Sequence, residues 1–178
     1  YHAARWGSDS GLVSVKIYYG IMLSAVSGGL ICRTRYKIRQ RSAPKFYVKK
    51  IKYETGDVFT LALASEKKFN FRAGQFCFLR LNKAKLYARH PFTISSAPHE
   101  PGLRFTIKNT GRFTAAARAL KPGEEVMVDG PFGKFTERNG QNNLVFIAGG
   151  VGITPFISMI KDQLKRPQAK NILLLCAA

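Results

Sequence analysis

The 178-residue sequence is poor in the residues that build metal centres, disulfide frameworks and acid–base sites. It has three cysteines and three histidines, which are scattered along the chain, and no two cysteines have the CxxC spacing. Neither a zinc site nor a disulfide framework is therefore predicted. The sequence also shows no paired carboxylates and no His/Asp arrangement of the kind used in general acid–base catalysis.

Acidic residues are also scarce. The chain carries 10 Asp and Glu against 29 Lys and Arg, a formal net charge of +19. Such an excess favours a polyanionic partner: a nucleic acid, an anionic membrane surface or a phosphorylated cofactor. An initiator methionine and a secretory signal pattern are lacking too, and the final LLLCAA resembles an unfinished strand. We therefore expect a fragment of a longer chain.

One apolar run, residues 11–32, is long enough to cross a bilayer, which takes about 20 residues. It contains a single charge, Lys16, and its small residues would let neighbouring helices approach closely. Lys and Arg crowd the following segment up to residue 52, and no acidic residue interrupts them. This is the positive-inside pattern, so we predict a transmembrane helix whose C-terminal side is cytoplasmic.

Two other interpretations of this region stay open. The apolar run can be a buried helix of a soluble domain, with the basic segment as its linker. The basic segment can also be a nucleic-acid arm, because Tyr36, Phe46 and Tyr47 between its cations could stack on bases. We favour membrane lipid and expect no nucleic acid, because no nucleic-acid fold signature follows.

From residue 45 the chain changes to short alternating strands separated by glycine and proline, which is typical of a small antiparallel barrel. A short helix is expected within it at Thr114–Leu120. The predicted strands are Phe46–Tyr53, Val58–Ala64, Gln75–Leu81, Leu103–Lys108 and Glu125–Asp129.

After residue 139 the pattern changes again. Asn143–Ala148 is a fully apolar strand, which suits burial on both faces of a parallel sheet. A glycine-rich loop, a helix at Phe156–Lys165 and a second apolar strand at Asn171–Cys176 follow it. This order is the start of an α/β nucleotide-binding domain.

One stretch of eight residues is especially rich in functional groups, with a cation, an imidazole, a proline, an aromatic ring and hydroxyls. It consists of Arg89, His90, Pro91, Phe92, Thr93, Ile94, Ser95 and Ser96. Pro91 cannot donate to a sheet ladder, so an edge strand or a bend is expected. Arg89 could bind phosphate oxygens in a bidentate manner, and Phe92 could lie against a flat ring. On these residues alone, a cofactor-binding bend and an ordinary edge strand with a solvated arginine are equally favoured.

Two further segments are candidate phosphate sites. The first precedes the predicted short helix, with a threonine at the expected cap position, and consists of Gly111, Arg112, Phe113 and Thr114. The second lies between strand and helix, where glycines let the backbone approach a pyrophosphate, and consists of Gly149, Gly150, Val151, Gly152, Ile153, Thr154 and Pro155. Its spacing departs from the full G-x-G-x-x-G motif.

Together these motifs resemble the ferredoxin–NADP reductase superfamily over residues 45–178. The RHPFT stretch is similar to that family's Arg-x-aromatic-Ser/Thr flavin motif, in the form found in ferric-chelate reductases and NADPH oxidases. Gly111 to Thr114 resembles the second flavin motif, and the segment from Ala148 to Pro155 resembles the opening of the NAD(P)H lobe. AGQF at 73–76 and DGPFG at 129–133 match two further landmarks.

The resemblance implies a role for each segment. Phe92 would stack on the flavin of FAD, with Thr93 near its reactive edge. Arg89 would hold the pyrophosphate, His90 would lie beside it, and Ile94 would contribute backbone. Thr114 and the backbone of Gly111–Phe113 would hold phosphate, and Gly149–Pro155 would bind the phosphates of NAD(P)H, expected to be NADPH.

The implied architecture is a membrane helix, a small antiparallel β-barrel that binds FAD, and the start of an α/β nucleotide-binding domain. We predict a non-cytoplasmic end at 1–10, a transmembrane helix at 11–32, a basic juxtamembrane linker at 33–44, the FAD-binding barrel at 45–138 and a truncated NAD(P)H-binding domain at 139–178. Haem is expected only on membrane helices outside this chain, because His2 is a lone histidine near a membrane boundary.

The implied activity is that of a membrane flavocytochrome. Electrons would pass from cytoplasmic NAD(P)H through FAD and haem to ferric iron, as in a ferric-chelate reductase. An oxidase that produces superoxide from oxygen and a soluble flavin reductase are the enzymatic alternatives. A basic membrane or nucleic-acid adaptor built on a degenerate barrel is the non-enzymatic one.

Overall fold

A 39-residue helix, α1 (Ala3–Arg41), opens the computed structural model, which describes residues 3–41, 45–81, 88–137 and 142–177. Its stretch Val13–Arg35 has the length and composition of a membrane span. None of the residues in its most apolar segment is buried. The large apolar side chains of this stretch are exposed, reaching 71% at Leu23. The helix extends beyond the predicted 11–32, because no proline interrupts the chain before Pro44.

The chain divides into two compact units, residues 1–43 and 44–178. The second unit begins with six antiparallel strands in one sheet of order β4-β3-β6-β1-β2-β5. Their bounds are β1 (Phe46–Tyr53), β2 (Val58–Ser65), β3 (Phe76–Leu81), β4 (His90–Thr93), β5 (Leu103–Lys108) and β6 (Glu125–Phe132). Just past β4, the Ser95 N–H donates to the Arg104 carbonyl at 2.8 Å, which joins the two edge strands. The predicted barrel is confirmed.

Alternation along the strands builds the barrel core. On β3, Cys77, Leu79 and Leu81 are buried, while Phe76 and Phe78 face outward and stay partly exposed. The inward side chains of β1, β2 and β5 join the same core, including the fully buried Phe46, Phe59 and Phe105. Complete burial of one such side chain contributes roughly 1.5–3 kcal/mol, so this set is a main source of stability.

A short helix, α2 (Arg112–Arg118), packs on this core through Phe113 and Ala117. It begins two residues earlier than predicted. Gly111 takes the extended conformation of an N-cap residue, and the Gly111 N–H donates to the Thr114 hydroxyl at 2.9 Å. Thr114 is therefore in the third helical position, and the expectation that it occupies the cap position is wrong.

The nucleotide-binding portion contains two parallel strands, β7 (Asn143–Gly149) and β8 (Asn171–Ala177). A 3-10 turn (Gly150–Ile153) and a helix, α3 (Thr154–Gln163), connect them. Phe156 and Met159 of α3 pack with Phe146 and Ala148 of β7. This packing places the helix over one face of the two strands.

The prediction that Asn143–Ala148 is buried on both faces is wrong for the part of the chain that the structure describes. Ile147 is 73% exposed, and Val145, Leu173 and Leu175 are exposed beside it. The reason is that α3 covers only one face of the two strands, and no other described element lies on the second face.

Candidate functional site

Strand β4 holds the centre of the RHPFT stretch at the edge of the sheet. Among the described strands it pairs only with β3, where Phe92 lies opposite Cys77 and His90 opposite Leu79. An edge position suits Pro91, because proline has no N–H to donate to a second neighbour. The predicted edge strand is therefore confirmed.

Three aromatic rings lie together on one side of β4. The His90 and Phe113 rings have centroids 4.1 Å apart, and the Phe92 and Phe113 rings are nearly parallel at 5.8 Å and 18°. Phe113, from α2, is almost completely buried, whereas His90 and Phe92 stay partly exposed. This arrangement offers an aromatic surface with a rigid backing, which suits contact with a flat ring system such as a flavin.

Arg89 lies on the other side of the strand. Its guanidinium carbon is 4.6 Å from the Phe78 ring centroid, and its Nη1 is 3.5 Å from Asp129 Oδ2. Phe78 lies opposite Pro91, so by strand alternation Arg89 and Phe92 point to different sides. The sequence motif joined Arg89 with Phe92, but the structure places His90 beside Phe92 instead.

The end of the stretch anchors β4 to the barrel. Ile94 is completely buried in the barrel core, and its N–H donates to the Gln75 carbonyl at 3.0 Å. Ser95 is also buried, and its hydroxyl accepts from Thr106 at 3.2 Å. Both residues are therefore buried in the barrel, and the Ile94 N–H that could have contributed to a ligand is already paired.

Thr114 organises the turn before α2. Its hydroxyl accepts from the Thr110 N–H at 3.0 Å and the Gly111 N–H at 2.9 Å, and it lies within 3.1 Å of Asn109 Oδ1. The hydroxyl is therefore used within the turn. Arg112 is exposed at the start of the helix, and no atom lies within 4 Å of a Cβ built on Gly111. The turn is thus open to a ligand at its backbone and at Arg112.

The glycine-rich loop emerges from the carboxyl end of β7. A Cβ built on Gly149, Gly150 or Gly152 would meet no atom within 4 Å, so the backbone faces open space. Gly150 has a φ of +51°, a conformation that glycine adopts without strain. The space and the small residues fit the close approach of a dinucleotide phosphate. Thr154, which begins α3 at the end of the loop, is buried.

Helix α3 connects this loop to the flavin-motif strand. The Ser158 hydroxyl donates to the main-chain carbonyl of Ser96 at 2.6 Å, and both residues are completely buried. Sequence reasoning did not identify Ser158. The available signal was a hydroxyl one helical turn after Thr154, and therefore on the same face of the helix.

An ion-pair cluster lies beside the same junction and was also missed. Glu137 pairs with Lys170 at 2.5 Å and with Arg166 at 3.4 Å, and it accepts a hydrogen bond from Gln163. Burial alone raises the pKa of Glu137, but the Lys170 and Gln163 hydrogen bonds outweigh burial and hold that pKa below its usual range. Glu137 and Arg166 line a small cleft with Phe71, Arg72 and Pro98.

Within the described ranges, no group of three or more His, Cys, Asp and Glu side chains could hold a metal ion. His99 Nδ1 and Asp162 Oδ1, the latter on α3, are 3.8 Å apart. The site itself offers an aromatic surface and open backbone segments, both of which suit a bound organic cofactor.

Two family models match the chain. The model of an FAD-binding domain matches residues 43–136, and that of a ferric reductase NAD binding domain matches residues 141–177. The expected cofactors, FAD and a nicotinamide dinucleotide, are confirmed at the level of these two domain types. The matched ranges contain every residue that sequence analysis assigned to the candidate site.

Curated relatives match the same region. Respiratory burst oxidase homolog protein B of Oryza sativa subsp. japonica is 27% identical over 160 residues, which are 74% of this chain and 18% of the relative. NADPH oxidase 1 of Mus musculus is 30% identical over 128 residues, 68% of this chain and 22% of the relative. The chain thus spans about a fifth of the length of these relatives.

Solved structures share the fold. A ferredoxin–NADP⁺ reductase from Plasmodium falciparum with 2′P-AMP superposes with a TM-score of 0.65 at 21% identity, covering 77% of this chain and 63% of that one. A ferredoxin–NADP⁺ reductase from Neisseria gonorrhoeae with bound FAD and NADP gives a TM-score of 0.63 at 21% identity, covering 75% and 56%. At this identity the likeness establishes the barrel and nucleotide-lobe fold.

Proposed function

The chain belongs to the ferredoxin–NADP reductase superfamily, in the branch of ferric reductases and NADPH oxidases, and from this premise we propose that it transfers electrons from NAD(P)H through FAD. The observation that carries the proposal is a juxtaposition. One strand, β4, offers the aromatic surface, and the helix that follows the glycine-rich loop is hydrogen-bonded to Ser96, three residues beyond that strand.

Several residues of β4 and α2 would bind and orient the flavin. Phe92, backed by Phe113 and flanked by His90, would lie against the flavin, with Thr93 close by on β4. Bound FAD supplies the redox chemistry, because it accepts a hydride and releases electrons one at a time. The protein itself contributes position and electrostatics, so the proposal assigns no general acid or base to this chain.

Phosphate binding falls to three segments. The turn at Gly111–Thr114 would use its backbone and Arg112, and Gly149–Pro155 would hold the phosphates of the nicotinamide dinucleotide. Arg89 would bind the FAD pyrophosphate by exchanging Asp129 for phosphate. That exchange is inexpensive, because a half-exposed ion pair at 3.5 Å contributes at most about 1 kcal/mol.

We further propose the domain organisation 1–10, 11–32, 33–44, 45–138 and 139–178 with the membrane helix at 11–32. The exposed apolar surface of Val13–Arg35 supports a lipid environment. The basic residues after it favour a cytoplasmic position for both cofactor domains and contact with anionic lipid headgroups. Haem would be held by helices beyond this chain; His2 lies outside the described residues.

The terminal acceptor has two candidates. Sequence analysis favoured ferric iron, with oxygen as the alternative. The curated relatives are named as oxidases, and this favours oxygen, whereas the model that matches residues 141–177 carries the ferric reductase description. We propose a membrane flavocytochrome of this branch, with oxygen as the first acceptor to test and a ferric chelate as the second.

The test uses the protein with its natural flanking sequence, purified in detergent and reconstituted with FAD. Fluorescence of FAD should be quenched on titration, and NADPH should then reduce the bound flavin. Superoxide, measured as dismutase-sensitive reduction of cytochrome c, and Fe(II), measured with a chelating dye, are compared in the same preparation. A protein that stays colourless and quenches no FAD fluorescence overturns the proposal in favour of an adaptor.

Membrane attachment is tested separately. Carbonate extraction should leave the protein in the membrane fraction, because Val13–Arg35 exposes apolar side chains along its length. Recovery of the intact protein in the soluble fraction would support a soluble flavin reductase instead. The two experiments are independent, since flavin binding depends on the barrel and extraction depends on α1.

A further inference from the structure

We propose that Ser158 is a positioning residue that sets the distance between the nucleotide loop and the flavin-binding strand. This inference rests on the proposed function, because it assigns the Ser158 hydrogen bond a role in hydride transfer from NAD(P)H to FAD. It concerns a residue that lies outside the three binding motifs and contacts the first of them only through the Ser96 main chain.

The hydrogen bond is short and shielded. Ser158 Oγ donates to the main-chain oxygen of Ser96 at 2.6 Å, and neither residue is accessible to water. The Ser96 hydroxyl in turn accepts from the Arg104 N–H at 3.1 Å, which fixes the acceptor on β5 of the barrel. Without the Ser158 hydroxyl, this acceptor loses a buried partner that water cannot easily replace.

Each end of the bond leads directly to a proposed binding segment. Thr154 precedes Ser158 by one turn of α3, about 6 Å along the helix axis, and follows immediately on the Gly150–Ile153 turn. Ser96 follows Thr93 by three residues, about 10 Å along an extended chain. One hydrogen bond thus joins the two segments that must bring nicotinamide and flavin together.

The Gln163 side chain of α3 also donates a directional and largely buried hydrogen bond, to Glu137, but Gln163 lies about two and a half helical turns beyond Thr154. The remaining contacts of α3 with the barrel do not impose the same geometry. Met159 packs near Ala73 in an apolar cluster, and apolar contacts are not directional. His99 Nδ1 and Asp162 Oδ1 are 3.8 Å apart at partly exposed side chains, so their pairing is weak and screened. The Ser158 bond combines direction with burial, so it can fix the register of α3 on the strand.

Hydride transfer is sensitive to such a register. The donor and acceptor atoms must approach to within about 3–3.5 Å, and a displacement of about 1 Å can reduce the rate by about two orders of magnitude. Loss of the Ser158 hydroxyl should therefore lower the rate of flavin reduction more than it lowers the affinity for the dinucleotide, because the segment proposed to hold its phosphates ends at Pro155, before Ser158.

The experiment compares wild type with Ser158→Ala and Ser158→Cys in the protein with its natural flanking sequence. Anaerobic stopped-flow measurement with NADPH separates the limiting rate of flavin reduction from the dissociation constant. We expect Ser158→Ala to reduce the limiting rate about tenfold or more, with a dissociation constant within about twofold. Ser158→Cys, a weaker donor of similar shape, should recover part of the rate, and reduction by dithionite should be unchanged in all variants.

A second readout does not depend on turnover. Amide hydrogen exchange in α3 should accelerate about tenfold in Ser158→Ala, while exchange in β1 and β2 stays at the wild-type rate. The matched control is Thr60→Val, which removes a buried hydroxyl from the barrel, where Thr60 bonds to Glu54 and Thr106. It should lower stability without changing exchange in α3 or the limiting rate.

The outcomes separate the two proposals. A wild-type protein that binds FAD but is not reduced by NAD(P)H overturns the proposed function and this inference together. A reducible wild type with Ser158→Ala equally fast overturns only the positioning role. A Ser158→Ala variant that loses rate and FAD affinity together also overturns it, because that result indicates general damage to the barrel.

Discussion

The ring of Phe92 on β4 is backed by the ring of Phe113 on α2, with centroids 5.8 Å apart and planes inclined by 18°. Phe113 is held in the barrel core, so it supports one face of Phe92 while the partly exposed side of Phe92 stays accessible. An aromatic side chain supported in this way is preorganised, and it loses little freedom when a flat ligand stacks on it.

Replacement of Phe92 by alanine should weaken FAD binding. The loss of one aromatic stack is about 1 kcal/mol beyond the loss of buried area, so the dissociation constant should rise about five- to tenfold. Quenching of FAD fluorescence measures the affinity. Phe132→Ala is the control, because Phe132 packs with Phe76 and Phe78 on the outer face of the sheet. Equal affinities for wild type and Phe92→Ala would remove Phe92 from the site.

Replacement of Arg89 by glutamine should reduce the affinity for FAD but not for riboflavin. Riboflavin lacks the pyrophosphate that Arg89 is proposed to bind, so only FAD loses a charge-assisted contact. Titration of both ligands at low and high salt measures the difference. Asp129→Asn should strengthen FAD binding, because it removes an anion that pairs with Arg89 at 3.5 Å. Equal losses for both ligands would show that Arg89 acts by supporting β4.

Replacement of Gly74 by alanine should destabilise the second unit by about 2 kcal/mol or more. Gly74 has a φ of +93°, and a Cβ there would collide with the Phe135 carbonyl and the Met159 side chain. Urea denaturation measures the change. Gly56→Ala is the control, since a Cβ at Gly56 meets no atom within 4 Å and should change stability by less than about 0.5 kcal/mol. Equal effects of the two changes would contradict the collision.

The thiol of Cys77 should resist modification in the folded protein. Burial, and to a smaller extent the nearby Asp129 carboxylate, raises its pKa to about 12. Cys176 is exposed and lies outside the proposed membrane helix, unlike Cys32. A thiol reagent at pH 8 should therefore label Cys176 quickly and Cys77 only after unfolding. Rapid labelling of Cys77 under native conditions would contradict its burial.

The same pKa shift predicts a loss of stability in alkali. The unfolded thiol ionises near pH 9, whereas the folded thiol stays protonated up to about pH 12. The contribution of Cys77 is therefore complete below pH 9 and is lost as the pH rises from 9 towards 12. The free energy of unfolding of wild type and of Cys77→Ala is measured across this range. The difference between the two free energies should become smaller as the pH rises.

Much of the fold was predictable because local patterns and packing agree. Alternation along residues 103–108 places Leu103, Phe105 and Ile107 inward, as in the pattern, and the strands at 46–53 and 103–108 both have the predicted bounds. In β1 a bulge after Val48 moves the inward position to Ile51, which simple alternation did not predict. The start of α2 was not predictable in this way. A threonine before a helix suggests an N-cap, but Thr114 instead accepts from the Gly111 N–H as part of the helix.

The site was partly predictable. Its candidate residues were selected because phosphate and flavin binding need glycine, arginine and aromatic residues in short stretches, and such stretches are visible without a structure. The sequence did not show which of these residues are in contact with one another. Arg89 and Phe92 are three residues apart but lie on different sides of the strand, while Phe113, more than 20 residues from Phe92 along the chain, lies against it.

By itself, the sequence determined the family, the cofactor types, the candidate membrane span and the order of barrel and nucleotide lobe, because each depends on residue type and spacing within a local segment. The tertiary structure decided which side of β4 carries the aromatic surface, where Arg89 lies, and that Ser158 bonds to Ser96. These depend on which distant segments pack together, since strand alternation, helix direction and burial fix a side chain's neighbours only once the barrel has closed.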